Sequence, residues 1–219
     1  MYIDIHRHSS NKGKADIMIR NLFPQETDKI PNIGYCSVGL HPWEVNEGIS
    51  QYQINTIKEA ASSHNVIAIG ETGIDKFIKT NPELQKRLFL EHMDIAISVA
   101  KPIIIHCVRA YDTFQFLRKT TKHDKPWIFH WYNASYETGI DLIKKGCYLS
   151  FGHLLFVERS KACKTFIKAP LDKVFFETDD VDIAIVDIYK QAAKLKGISL
   201  EHLQNQIKTN FFNCFGIEL

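Results

Sequence analysis

Residues 102–107 read Pro-Ile-Ile-Ile-His-Cys, and this stretch shows the unit from which the fold is built. The β-branched run predicts a strand over Ile103–Cys107. The proline precedes the strand, where its missing N–H costs no ladder hydrogen bond. A segment of helical period follows at Tyr111–Lys122. A strand followed by a helix is the repeating unit of a parallel α/β protein.

The same unit recurs along the chain, and seven further strands are predicted. They cover Tyr2–His8, Ile17–Phe23, Tyr35–His41, Val66–Glu71, Trp127–Trp131, Cys147–Phe151 and Val174–Thr178. Because helical segments join most of these strands, we predict a TIM (β/α)8 barrel in one domain over residues 1–219, with an open doubly wound sheet as the alternative. Only Ser9–Asp16 separates the first two strands. We therefore expect a short variant of the barrel that lacks the first crossover helix.

The composition limits the classes of function. The 27 Lys and Arg residues against 25 Asp and Glu give a net charge of +2, which excludes a basic surface that coats nucleic acid. The five cysteines are odd in number and form no Cys-x-x-Cys pair, which favours a reducing, cytoplasmic location. No apolar stretch approaches the ~20 residues of a membrane span. We expect no signal peptide, no membrane association and no obligate protein partner.

Ionisable residues stand at the ends of most predicted strands, which is where a barrel of this kind carries its functional groups. His6 and His8 share one face of the first strand because side chains alternate with a period of two. One such histidine alone is more often structural, but a gathering of imidazoles and carboxylates without a cation would be costly. The sequence therefore predicts a metal centre. Its predicted ligands are His6, His8, Glu71, His106, His130 and Asp179.

The donor chemistry of these ligands indicates which ions are expected. Four imidazoles and two carboxylates suit two divalent ions of zinc, manganese or iron, with magnesium a less natural partner for so much imidazole.

Several motifs resemble, in order, those of the TatD family of metal-dependent hydrolases. They are His6-Arg7-His8, Gly39-Leu-His-Pro42, Gly70-Glu-Thr-Gly-Ile-Asp75, Pro102-Ile-Ile-Ile-His106, His130 and Glu177-Thr-Asp179. The resemblance implies a TIM barrel with two or three divalent ions that hydrolyses phosphodiester bonds of DNA. It also implies roles for the ligands: His6 and His8 bind the first ion, His106 and His130 the second, and Glu71 bridges them. Asp179 binds the first ion and orients or deprotonates the attacking water, so Asp179 and Glu71 are the expected catalytic residues.

Other residues near the strand ends are candidates for contact with substrate. His41 is expected to donate a hydrogen bond to a phosphate oxygen, and Arg109 to do the same from a position one residue later than is usual in that family. Tyr132 has the parity of His130 and is expected to stack on a base, whereas Trp131 is expected to pack in the core. His153, past the seventh strand, is a further substrate candidate. Histidines away from the strand ends are expected at the surface or half buried: His64, His92, His123 and His202.

The function that the resemblance implies is that of a deoxyribonuclease, and the low net charge favours action on single-stranded or frayed DNA ends. One alternative is an amidohydrolase that cleaves a C–N or ester bond in a small molecule or an aminoacyl-tRNA with the same ions. A second alternative is a metal-binding barrel without catalysis. Asp179 argues against the latter, because metal binding alone does not require a carboxylate beside the attacking water.

Overall fold

The computed structural model describes residues 1–8, 15–121 and 123–219. It contains all eight predicted strands, which lie in the sheet order β1 to β8. They are β1 Ile3–Arg7, β2 Ile17–Leu22, β3 Cys36–Val38, β4 Val66–Asp75, β5 Ile103–Val108, β6 Trp127–Phe129, β7 Tyr148–Phe151 and β8 Val174–Phe176. The predicted short connection at Ser9–Asp16 lies largely outside the described residues, so the loss of the first crossover helix stays a prediction.

Seven α-helices occupy the segments between and after the strands. They are α1 Ser50–Ala60, α2 Pro82–Ser98, α3 Tyr111–Thr120, α4 Tyr136–Lys144, α5 Lys161–Lys168, α6 Ile185–Lys196 and α7 Leu200–Phe215. The cap of α2 is local, since the Asn81 side chain accepts the N–H of Glu83 and Pro82 occupies the first helical position. Parallel strands in sequence order with helices between them confirm the TIM barrel fold class.

The chain divides into two compact units, one of residues 1–20 with 129–219 and one of residues 21–128. The prediction of a single domain over residues 1–219 stays a prediction. No helix within the described ranges is both long and apolar enough to cross a bilayer.

In the unit of residues 21–128, β4 runs four residues further than the predicted end at Glu71. The strand continues because its backbone still pairs with β5, with Gly73 opposite His106 and Asp75 opposite Val108. The two strands approach so closely at Gly73 (φ +158°) that a Cβ would lie 1.9 Å from the carbonyl oxygen of His106. The glycine of this motif is therefore required by the backbone. The longer strand places Asp75, as well as Glu71, beside β5.

In the other unit, β1 is held against β8. The hydroxyl of Tyr189 on α6 donates to the carbonyl of Ile3 and accepts its N–H. The buried carboxylate of Asp4 accepts both the N–H and the hydroxyl of Thr178, at 3.1 and 2.6 Å. Burial raises the pKa of Asp4 to about 7. One residue further on, the N–H of Asp179 donates to the carbonyl of His6 at 3.0 Å. These bonds fix the backbone of the two residues that the sequence predicts as ligands of one ion.

Candidate functional site

The unit of residues 1–20 and 129–219 brings together four of the predicted metal ligands. Oδ1 of Asp179 lies 3.6 Å from Nε2 of His6 and 3.3 Å from Nε2 of His8. The rings of His6 and His130 are 4.5 Å apart, and those of His6 and His8 are 5.1 Å apart. His6, His130 and Asp179 each offer one ligand atom, and these atoms lie within 4.8 Å of one another. We call these four residues the Asp179 group.

Asp179 takes a backbone conformation that few non-glycine residues adopt. Its φ is +51°, and a left-handed residue without a glycine costs of order 1 kcal/mol. The hydrogen bond to His6 and the contacts of Thr178 with Asp4 hold the backbone in place. Such strain is most common where a side chain must be aimed at a functional site. The turn after β8 therefore aims the Asp179 carboxylate at the histidines of β1.

The unit of residues 21–128 contains a second cluster, which we call the Glu71 group: His41, Glu71 and His106. Oε1 of Glu71 lies 2.8 Å from Nδ1 of His106 and 3.1 Å from Nε2 of His41. The backbone N–H of Glu71 donates to Oδ1 of Asn21 at 2.7 Å, which positions the carboxylate from the adjacent backbone. All three side chains are buried, and their ligand atoms also lie within 4.8 Å of one another.

His41 also contacts Glu71, at 3.1 Å, which is slightly farther than the 2.8 Å of the predicted ligand His106. A backbone N–H can only donate, and that of Trp43 points at Nδ1 of His41 at 3.1 Å. Nδ1 of His41 is therefore an acceptor, and in the neutral ring the proton sits on Nε2. This nitrogen faces Glu71. His41 is thus arranged as a hydrogen-bond donor toward Glu71, and the predicted donation to a substrate phosphate stays a prediction.

Asp75 is not among the site residues predicted from the sequence, although it is the last residue of the Gly70–Asp75 motif and is an even number of residues from Glu71 along β4. Its Oδ2 lies 3.3 Å from Nε2 of His106 and accepts the indole N–H of Trp43 at 2.8 Å, while Oδ1 accepts the N–H of Phe77. Burial raises the pKa of Asp75, but these hydrogen bonds outweigh it and bring the pKa to about 2. Asp75 is therefore a carboxylate that orients the ring of His106.

The aromatic residues after β6 are placed opposite to the prediction. Tyr132 is 1% exposed, and its hydroxyl donates to the carbonyl of Ser135, so it is a core residue. The partly exposed Trp131 packs its ring 4.8 Å from that of His153, and its backbone N–H donates to Glu177. The physical reason is that β6 ends at Phe129 and Trp131 has a φ of +46°, so strand alternation no longer applies there.

The remaining candidates for contact with substrate are His153 and Arg109. Burial lowers the pKa of His153, and the negative charge of Asp179 acts in the opposite direction. His153 thus lies near the Asp179 group. Arg109 is exposed, and its guanidinium carbon is 5.0 Å from the centre of the Phe77 ring, which it covers. Of the other histidines, His92 is fully buried and His123 is 4% exposed, which corrects the surface or half-buried placement expected for them.

Both groups offer the donor chemistry of a divalent metal site. Two imidazoles with a carboxylate, all within reach of one point, are typical ligands of zinc, manganese or iron. The structure places His130 with His6 and Asp179, and His106 with Glu71 and His41. The shared ion expected for His106 and His130, and the bridging role of Glu71, stay predictions.

Comparison with known proteins defines the class of this molecule. Residues 24–216 match the family model described as TatD related DNase. An uncharacterized metal-dependent hydrolase of Buchnera aphidicola is 31% identical over 156 residues, which are 68% of this chain and 59% of that relative. The 3'-5' ssDNA/RNA exonuclease TatD of Erwinia billingiae is 36% identical over 85 residues, or 37% of this chain and 32% of that protein.

The fold of this chain is also similar to that of a solved structure. The crystal structure of YjjV, a TatD homologue from Escherichia coli K12, superposes with a TM-score of 0.84 at 20% identity and covers 99% of this chain and 98% of that one. The superposition shows the shared fold, and the sequence relative from Buchnera aphidicola is described as a metal-dependent hydrolase. This chain belongs to the TatD family.

Proposed function

We propose that this chain is a metal-dependent phosphodiesterase that cleaves DNA at single-stranded or frayed ends. The observation that carries the proposal is the position of Asp179, whose carboxylate lies against His6 and His8 yet is 19% exposed. A carboxylate that only completed a metal site could be fully buried. One that accepts a proton from water must also be reachable by that water.

The residues of the Asp179 group would hold one divalent ion, and Glu71 with His106 would hold another. Bound divalent ions supply positive charge that stabilises a phosphate undergoing attack and make a nearby water more acidic. Asp179 orients this water and takes its proton on a carboxylate oxygen. Nε2 of His41 carries the proton that donates a hydrogen bond to a phosphate oxygen of the substrate, once the substrate competes with Glu71 for it.

The charge of the chain agrees with a short contact at a DNA end. A net charge of +2 cannot hold a duplex along many phosphates, so the ions provide most of the attraction and act on one or two phosphates. The affinity for DNA then falls only shallowly with salt, with a log–log slope of about −1 to −2. The partial relationship to an exonuclease that is named for single-stranded DNA and RNA supports the same substrate class.

The test compares substrate classes on one metal-reconstituted sample. Single-stranded DNA, an aryl phosphodiester, and a panel of amides, carboxylic esters and aminoacyl-tRNA are assayed side by side. We expect turnover of the two phosphodiesters. Turnover confined to the amides and esters would favour an amidohydrolase instead, and no turnover of any substrate by a metal-loaded sample would favour a binding protein.

A further inference from the structure

Trp43 combines high exposure with a fixed position. It is 64% exposed, but its indole N–H donates to the buried Asp75 at 2.8 Å and its backbone N–H donates to His41 at 3.1 Å. Both partners contact members of the Glu71 group or belong to it. The residue is therefore held by one hydrogen bond of its indole and one of its backbone beside the candidate metal ligands, while most of the side-chain surface remains in water.

The geometry of the rings shows how close Trp43 lies to the group. Its ring centre is 5.0 Å from that of His41, at an interplanar angle of 90°, and 6.2 Å from that of His106. A single exposed apolar side chain is common on protein surfaces, so the role of Trp43 is inferred from its fixed position and not from its exposure. An immobilised indole has already lost the rotamer freedom that a binding partner would otherwise have to remove. Trp43 is thus pre-organised for contact with an aromatic or apolar ligand group.

A second aromatic residue is tied to the same carboxylate. The N–H of Phe77 donates to Oδ1 of Asp75 at 2.8 Å, and the Phe77 side chain is 72% exposed. The guanidinium of Arg109 lies over this ring. Asp75 therefore anchors two exposed aromatic residues, and a cation accompanies one of them. Aromatic rings interspersed with cations are the usual surface for single-stranded nucleic acid, in which each base offers a flat face for stacking.

We propose that Trp43 stacks on a nucleobase of the DNA strand and thereby places the adjacent phosphate at the Glu71 group. This inference rests on the proposed function, because it assigns a subsite to the same substrate. Stacking supplies affinity that does not depend on base identity, and it compensates for the low positive charge of the chain. Trp43 is then a residue that determines specificity for single-stranded DNA over smaller phosphodiesters.

The experiment distinguishes the contribution of the aromatic ring of Trp43 to activity from that of its indole hydrogen bond. Wild type, Trp43→Ala and Trp43→Phe are assayed on a short oligodeoxyadenylate and on the same oligomer with tetrahydrofuran abasic residues, and metal content is measured for each sample. Tyr52→Ala serves as the control, because Tyr52 is an equally exposed aromatic residue, at 76%, on α1. We expect wild type and Tyr52→Ala to prefer the oligomer with bases by about 5- to 100-fold in kcat/KM. Trp43→Ala should lose that preference, and Trp43→Phe should keep most of it.

Three results would each overturn the stacking role, and the first two concern the preference for the oligomer with bases. The first is a wild-type enzyme that cleaves both oligomers equally, and the second is a Trp43→Ala variant that retains the full preference. The third is an equal loss of activity on both oligomers in Trp43→Phe and Trp43→Ala together with loss of metal, which would mean that the indole acts only through Asp75.

A binding measurement distinguishes failure of this inference from failure of the proposed function. Titration with dAMP should quench the tryptophan fluorescence of wild type more strongly than that of Trp43→Phe, whereas 2-deoxyribose 5-phosphate should quench neither. Quenching by dAMP without cleavage of any phosphodiester would contradict the nuclease function but support the stacking site. Cleavage of DNA without this quenching would support the nuclease function but contradict the stacking site.

Discussion

Oδ2 of Asp75 lies 3.3 Å from Nε2 of His106, on the side of the imidazole ring away from Glu71. Asp75 favours a proton on Nε2, whereas Glu71 favours one on Nδ1. A metal ion at Nδ1 would replace that second proton, and Asp75 would then hold the remaining proton on Nε2. Nδ1 is the nitrogen that faces the Glu71 group, at 2.8 Å from Oε1 of Glu71. A carboxylate behind a ligating histidine usually raises the basicity of the ligand and fixes its orientation. We therefore expect Asp75 to make His106 a better metal ligand.

The substitution Asp75→Asn tests this relationship. The amide keeps the size of the side chain but loses its charge, so we expect metal affinity to fall by about 10- to 100-fold. Competition with a chromogenic chelator measures the affinity. Asp112→Asn is the matched control, since Asp112 is an exposed carboxylate in the same unit that pairs with Lys76. Equal affinities in wild type and Asp75→Asn would contradict the role.

Asp179→Asn tests the proposed base. The amide retains one oxygen that can bind an ion but cannot accept the proton of water, so kcat should fall by about 10²- to 10⁴-fold while the fold survives. Initial rates on an aryl phosphodiester and circular dichroism check the two parts. Asp187→Asn, on the exposed side of α6, should retain wild-type rates. Full activity in Asp179→Asn would exclude it as the base.

Metal content tests the two groups together. Purified or reconstituted protein should bind about two divalent ions per chain, because each group offers a separate set of imidazole and carboxylate donors. The double substitution His6→Ala with His8→Ala should remove one of the two, as measured by elemental analysis. Activity in a sample without any bound ion would contradict the mechanism.

The stability of the protein should depend on His92 between about pH 4 and 6.5. Burial lowers the pKa of His92 to about 4, although the hydrogen bond to the carbonyl of Leu88 acts in the opposite direction. As pH falls, the unfolded chain therefore takes up the His92 proton before the folded protein does. The free energy of unfolding decreases between pH 6.5, the pKa of the histidine in the unfolded chain, and about pH 4, its pKa in the folded protein. The loss should approach about 3 kcal/mol at pH 4.

Urea unfolding of wild type and His92→Gln across this pH range isolates the effect. The difference in unfolding free energy between the two proteins should shrink as pH falls, whereas His202→Gln, an exposed histidine on α7, should follow wild type. A constant difference would show that His92 does not titrate as described.

Gly73→Ala tests the close approach of β4 and β5. An added Cβ would collide with the carbonyl of His106 at 1.9 Å, so the strands must separate. We expect destabilisation by about 3 kcal/mol or more, together with weaker metal binding, because the shift moves His106. Gly34→Ala, where a Cβ meets nothing within 4 Å, should be nearly neutral. Thermal unfolding of both variants measures the contrast.

Strand alternation predicted side chains correctly only where a strand persists. His6 lies on β1, and the predicted period of two brings His6 and His8 to the same carboxylate of Asp179. At Trp131 and Tyr132 the same rule failed, because β6 had already ended and Trp131 has a left-handed backbone conformation. Local backbone conformation of this kind depends on tertiary bonds, here the contact of the Trp131 N–H with Glu177.

The sequence by itself determined the number and order of the strands, the fold class and the ligand types, because hydrophobic period and residue chemistry are local properties. The tertiary structure decided which ligands meet. It brought His6, His8 and His130 to Asp179 and His41 and His106 to Glu71, fixed the tautomer of His41 through the N–H of Trp43, and brought Asp75 behind His106. These relationships depend on distances between segments 30 or more residues apart or on the geometry of a single turn, such as the 31 residues that separate Asp75 from His106. Packing alone sets such distances, so no pattern along the chain records them.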